Sequence, residues 1–185
     1  MRSLALTLTL ALALAAAGAA SGCAGTLTYS GDADYQVASG FDARRPADIA
    51  VLPVTGNLPP ETSAQLREAL RGRLLELHYA PVRLKEVDAR PADFRPGGPN
   101  AVMEVRVTRW DDGGLFGDGT LVLSAEVRLF AAGSTEVLYK GTLEKVPVRA
   151  SFVAKSMEER PTTVSQACAE AASRLLDTLP AKGDG

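Results

Sequence analysis

The chain is short of the residues that most enzymes and metal sites need. Its 185 residues include a single histidine, His78, and two cysteines, Cys23 and Cys168. One histidine cannot supply a two-histidine metal site, nor a serine–histidine pair with any residue to spare. His78 falls at the end of a helical stretch, where a donor near the last carbonyls is a structural role. No phosphate-binding loop, no Gly-x-Gly-x-x-Gly after a strand, no His-Glu-x-x-His and no Gly-x-Ser-x-Gly occurs. An excess of basic charge is also missing. Twenty Lys and Arg face 22 Asp and Glu, for a net charge of −2, so nothing marks a nucleic-acid partner. After Cys23 no apolar run reaches the length of about 18 residues that a spanning helix needs. The reading that follows is a non-enzymatic protein, with no catalytic residue, no cofactor and no metal site assigned.

What is present is concentrated at the start. Arg2 is followed by an uncharged run of Leu, Ala and Thr from Leu4 to Ala17, and small residues close on Ala20-Ser21-Gly22-Cys23. That is the order of a secretory signal. A peptidase that needs only small residues would accept this site. The cysteine directly after Ser-Gly also resembles the lipobox of bacterial lipoproteins. That resemblance implies cleavage before Cys23, a diacylglyceryl group on its thiol and an acyl chain such as palmitate on the new amine. The bilayer would then be a partner, held firmly, because two or more chains bind stably where one binds marginally. Ala24 stands where an inner-membrane retention signal would often place Asp. By analogy with lipoprotein sorting, the periplasmic face of the outer membrane is the expected address. If cleavage falls earlier, Cys23 and Cys168 could instead form a disulfide in an oxidising compartment.

The remaining chain suits one domain, with residues 1–22 as signal peptide, 23–47 as a flexible tether, 48–180 as a single domain and 181–185 as a disordered tail. The tether is rich in Gly, Ser, Ala and Asp, without a regular period, and could hold the domain tens of ångströms from the membrane. Its aromatics Tyr29, Tyr35 and Phe41 allow an alternative in which it lies partly on the domain. Residues 48–54 read as a buried strand before the turn Gly56-Asn57. Thr62-Ser63-Ala64-Gln65 is a capping box that opens a helix with Leu66, Ala69, Leu70, Leu74 and Leu77 on one face, and Arg67, Glu68, Arg71 and Glu76 elsewhere. Gly72 within it predicts a close approach to the sheet.

Residues 79–82 read as a second strand, 85–90 as one or two helical turns, and 92–99 as a Pro- and Gly-rich loop. Strict alternation then marks half-buried antiparallel strands over 101–110 and 120–131, followed by a less regular one over 136–148. Thr163-Val164-Ser165-Gln166 is a second capping box, opening a helix to about Leu179 with Cys168 on its apolar stripe. The order β-α-β-(α)-β-β-β-α predicts an α+β fold, with helices packed on a mixed sheet.

Three stretches carry a resemblance. Asp48-Ile49-Ala50-Val51-Leu52-Pro53 is similar to the opening strand of the CsgG, LpoB and TolB N-terminal-like group of bacterial envelope proteins. Residues 100–110 and 134–141 are similar to a later strand and a hairpin of uncharacterised lipoproteins in that group. The resemblance implies a non-enzymatic accessory factor of the envelope, in assembly, secretion or transport, whose partner is another envelope protein. Oligomerisation stays an open alternative. The loop 111–119 is the candidate contact: Leu115 and Phe116 are bulky apolar residues at its expected tip, with Trp110 beside them. The competing reading is a periplasmic ligand- or calcium-binding module that uses the aspartates of this loop, although their spacing misses the Asp-x-Asp-x-Asp-Gly pattern.

Overall fold

The structure, a computed structural model, describes residues 26–30, 32–89 and 100–183. The signal peptide, Cys23 and the 92–99 loop lie outside the described residues.

The fold is α+β. Its strands are β1 (Thr26–Ser30), β2 (Ala33–Val37), β3 (Asp48–Val51), β4 (Thr55–Gly56), β5 (Ala80–Pro81), β6 (Ala101–Gly114), β7 (Thr120–Ala131) and β8 (Val137–Arg149). Helices α1 (Pro60–Glu76), α2 (Leu84–Ala89) and α3 (Arg160–Leu175) complete it. The strands form one mixed sheet in the order β1-β2-β8-β7-β6-β3-β5, with β4 added beside β6. The meander β6-β7-β8 is antiparallel, as its alternation predicts, while β3 lies parallel to both β6 and β5.

Helices α1 and α3 cover one face. The inward set of the meander, including Met103, Val105, Val107, Leu121, Leu123, Val127 and Leu129, meets Leu66, Leu70 and Leu74 of α1 and Ala167, Cys168, Ala171 and Leu175 of α3 in a single core. Each buried leucine of that kind adds roughly 1.5–3 kcal/mol relative to leaving it exposed.

The expected tether is the largest departure. Ala33–Val37 is a strand paired with β8 in the register Tyr35↔Gly141, and Thr26–Ser30 pairs with it in turn. Tyr35 is buried, and its hydroxyl donates to the Arg174 carbonyl at 2.6 Å. Phe41 is buried as well. Tyr35 and Phe41 thus pin this segment to the domain, so residues 33–45 are part of the fold and not a flexible tether. The expected tail is also tied down in part: Lys182 N–H donates to the Leu77 carbonyl at 2.8 Å, and Arg45 donates to the Ala181 carbonyl at 2.7 Å.

Tyrosine hydroxyls close the C-terminal end of α3, where carbonyls lack intrahelical partners. Tyr139 donates to Leu175 at 2.8 Å beside the Tyr35 bond, while Tyr79 donates to Pro180, beyond the helix end, at 2.6 Å. Gly141 lets this helix end approach β8, since a Cβ there would stand 2.7 Å from the Leu175 carbonyl oxygen. Gly72, by contrast, has nothing within 4 Å of where its Cβ would be, so the predicted close approach does not exist.

Neither capping box forms. Each helix begins earlier, with a proline in its first turn (Pro60 and Pro161) and no side-chain cap. The Thr163 hydroxyl instead accepts from Ala154 N–H at 2.9 Å, fixing the 150–159 segment against α3. Helix α3 ends at Leu175, and Leu179 is buried beyond it. His78 takes a left-handed conformation (φ 63°), and the bonds His78 N–H to Leu75 and Tyr79 N–H to Leu74 close α1 as a Schellman motif.

Candidate functional site

The second face of the sheet carries no helix α1 or α3, and its side chains follow from the outward half of the alternation. In register across β6, β7 and β8 lie the rows Glu104–Arg128–Lys140 and Arg106–Glu126–Thr142. Glu126 holds Arg128 at 2.6 Å and Lys140 at 3.0 Å. Glu104 and Arg106 are exposed. Half-exposed pairs of this kind contribute about 0–1 kcal/mol each, so the pattern does little for stability and leaves its charges accessible. A shallow concavity of about 380 Å³ runs over Leu52, Thr55, Glu104, Arg106, Glu126 and Arg128. A second, of about 470 Å³, lies toward β2, lined by Asp32, Asp34, Thr142, Glu144 and Lys145. The face can therefore present ordered charges of both signs to a partner.

The predicted contact at 111–119 is built differently from the expectation. Strand β6 continues to Gly114, and bonds from Gly117 N–H and Asp118 N–H back to the Gly114 carbonyl curl the turn. Leu115 is thereby driven inward and is fully buried (0% exposed). Phe116 is half-buried against the core, with the Arg160 guanidinium 4.5 Å above its ring. Trp110 is also half-buried against the core. The three residues are thus core or core-rim groups, and Leu115 is removed as a contact.

Two of the three aspartates of this turn, Asp111 and Asp118, are committed locally. Asp111 accepts from the Arg109 guanidinium at 2.7 Å and from Gly113 N–H at 3.3 Å, which hold its carboxyl below the usual carboxylate range. Asp118 is lowered likewise by Thr120 N–H, which donates to it at 2.9 Å. Among the described residues no group of three His, Cys, Asp or Glu is placed to hold a metal ion.

Two buried groups complete the polar inventory. Cys168 is fully buried, its Sγ 3.9 Å from the Thr62 carbonyl, and burial pushes the thiol up to about 12. Arg67, expected on an outer face of α1, is buried: Nε and Nη2 donate to the Val51 carbonyl at 3.0 and 2.8 Å, and Nη1 pairs with Asp88 at 2.7 Å. Strand β5 is too short to reach Val51, so the guanidinium takes the place of a strand donor and ties β3 to α1 and α2.

No family model matches the chain. No curated protein matches it. Solved structures with a similar course of chain include a PelC dodecamer from Paraburkholderia phytofirmans, at 14% identity and a TM-score of 0.49, over 75% of this chain and 90% of that one. Lipoprotein GNA1162 from Neisseria meningitidis is similar at 18% identity and a TM-score of 0.43, over 70% of this chain and 99% of that one. The hypothetical protein CT253 from Chlamydia trachomatis is similar at 12% identity and a TM-score of 0.40, over 71% and 99%. At these values the likeness concerns architecture alone. No helix among the described residues is long and apolar enough to cross a membrane.

Proposed function

We propose that this chain is a membrane-anchored lipoprotein of the bacterial envelope. Its α+β domain binds another envelope protein, as a non-enzymatic accessory factor in assembly, secretion or transport. The anchor is acylated Cys23, on the periplasmic face of the outer membrane, and the reading keeps the resemblance to the CsgG, LpoB and TolB N-terminal-like group. The observation that carries it is the sheet face opposite α1 and α3, where Glu104, Arg106, Glu126, Arg128 and Lys140 stand in ordered rows over shallow, open concavities. Such a surface has the polar, two-signed character that steers and registers a protein partner, and it does not enclose a small molecule as a ligand pocket does.

A photo-crosslinking residue placed at Arg106 in cells tests the binding face, beside one at Leu75, which is half exposed on α1. A discrete protein adduct from position 106 and none from position 75 is the expected result. Adducts from α1 with none from the sheet would refute the face. The intact mass of membrane-extracted protein, beside a Cys23→Ser form, tests the anchor: residues 23–185 plus acyl chains, lost in the variant, is the expected outcome.

A further inference from the structure

We propose that the end of the sheet bearing the β7–β8 hairpin is a bilayer-contacting surface. The hairpin tip (132–136) and the apolar row Val102, Phe130 and Val137 would rest in the interface of the membrane that holds Cys23. This inference rests on the acylation of Cys23 read above.

The length of chain before β1 makes the first argument. Thr26 is three residues after Cys23, and at roughly 3.3–3.6 Å per residue the lipid attachment point lies within about 10 Å of it. Thr26 pairs with Val37, Val37 with Tyr139 and Tyr139 with Leu129, so one level across the sheet is set beside the membrane. From Leu129 back to Thr120, β7 runs about 30 Å at roughly 3.4 Å per residue. The 115–119 turn and the α3 entry are at that distant end.

Polarity makes the second argument. On the face opposite α1 and α3, Val102 pairs with Phe130 and Phe130 with Val137, giving an apolar row one step beyond the anchored level. Val137 is 37% exposed. A concavity of about 460 Å³ opens here, lined by Leu52, Val102, Phe130, Ala131 and the hairpin residues 133–135, with Glu104 its one charged wall. The next row away from this end is charged throughout: Glu104, Arg128 and Lys140. Apolar groups thus meet charged ones within two residues along the strand, which is the polarity step of a membrane interface. The tip Ala132-Gly133-Ser134-Thr135 carries no charge, and Glu136 behind it is already paired with Arg44. Seating the tip itself among headgroups therefore desolvates no free carboxylate, and Glu104, one row further on, marks the depth at which the contact stops.

Depth-dependent quenching tests the surface in the full-length acylated protein. With Cys23 blocked by lipid and Cys168 buried, a single introduced cysteine takes a fluorophore selectively. Thr135→Cys and Asp112→Cys place it at the near and far ends, both at exposed positions. The proteins are reconstituted in phosphatidylethanolamine–phosphatidylglycerol vesicles that carry a headgroup spin label, and intact mass confirms the acyl chains. At least about twofold stronger quenching at 135 than at 112 is expected. Equal quenching at the two positions in protein of acylated mass would overturn this surface and leave the lipoprotein reading standing. Absence of acyl mass would overturn that reading, and the surface with it.

Discussion

One glycine lies inside α1 and another beneath the end of α3, and adding one methyl group to each should move stability in opposite directions. At Gly72, inside α1, a Cβ meets nothing within 4 Å. Alanine there removes the glycine penalty of a helix interior, for a gain of up to about 1 kcal/mol. At Gly141, on β8, the same atom would stand 2.7 Å from the Leu175 carbonyl oxygen, 3.0 Å from a Val127 methyl and 3.2 Å from the Tyr139 hydroxyl. The carbonyl is backbone at the end of α3 and cannot rotate away, so the helix end must shift. Overpacking of this kind costs about 1–3 kcal/mol, and the Tyr139–Leu175 bond, worth roughly 0.5–1.5 kcal/mol, is strained with it. Gly141→Ala should therefore lose about 2–4 kcal/mol. In a domain of this size about 1 kcal/mol moves the melting midpoint by roughly 2–4 °C. Thermal melts followed by far-UV circular dichroism should place Gly72→Ala a few degrees above the wild type and Gly141→Ala on the order of 10 °C below it. A neutral Gly141→Ala would refute the close seat of α3 on β8. A destabilising Gly72→Ala would mean that some group packs against that turn of α1.

Further outcomes follow from the buried groups. Tyr139→Phe leaves the Leu175 carbonyl without its donor and should cost about 1–3 kcal/mol in urea unfolding, with an unchanged m-value. Leu115→Ala should cost about 2–5 kcal/mol by the same assay, the range of a buried leucine, whereas an exposed loop tip would show almost nothing. In the Cys23→Ser form, Cys168 should resist iodoacetamide at pH 8 until denaturant is added, because burial pushes its thiol up to about 12; fast labelling of the native state would contradict its place in the core. Asp118 is held below the usual carboxylate range. The stability it contributes is thus present above about pH 4 and lost as pH falls through its folded value. Melting midpoints of Asp118→Asn should fall less steeply below about pH 4 than those of the wild type, and parallel acid limbs would count against the Thr120 bond.

The meander was legible because its alternation is long and unbroken: Met103, Val105 and Val107 face in while Glu104, Arg106 and Thr108 face out. That same alternation placed the charged face, although nothing local says which outward rows meet a partner. Strand β2 was hidden because five residues with two inward side chains, Ala33 and Tyr35, carry too little period to register. Its support comes from β8 and from Arg174, both remote in sequence. Leu115 misled for a related reason: glycines on both sides give it the composition of a loop, and only the bonds back to Gly114 turn it inward. The capping boxes at Thr62 and Thr163 were outcompeted by Pro60 and Pro161, whose fixed φ starts each helix sooner. Arg67 looked solvated because the orphan carbonyl it serves, on Val51, exists only once β5 has proved short.

The ties between the two ends of the chain also constrain when the domain can finish folding. Tyr35 reaches Arg174 across 139 residues, Arg45 reaches Ala181 across 136, and Tyr79 reaches Pro180 across 101. A chain made from its N-terminus makes β2 early, pairs it once β8 is made, and leaves the Tyr35 hydroxyl without its acceptor until α3 arrives. Contacts of such separation slow folding, because loop closure precedes any reward. A chain cut short by its final ten residues would lack Pro180 and Ala181, leaving the hydroxyl of Tyr79 and the guanidinium of Arg45 without these acceptors. Residues 180–182 thus close the packing of Tyr79 and Arg45 late, and until they arrive the domain stays in a partly open state of the kind proteases select against.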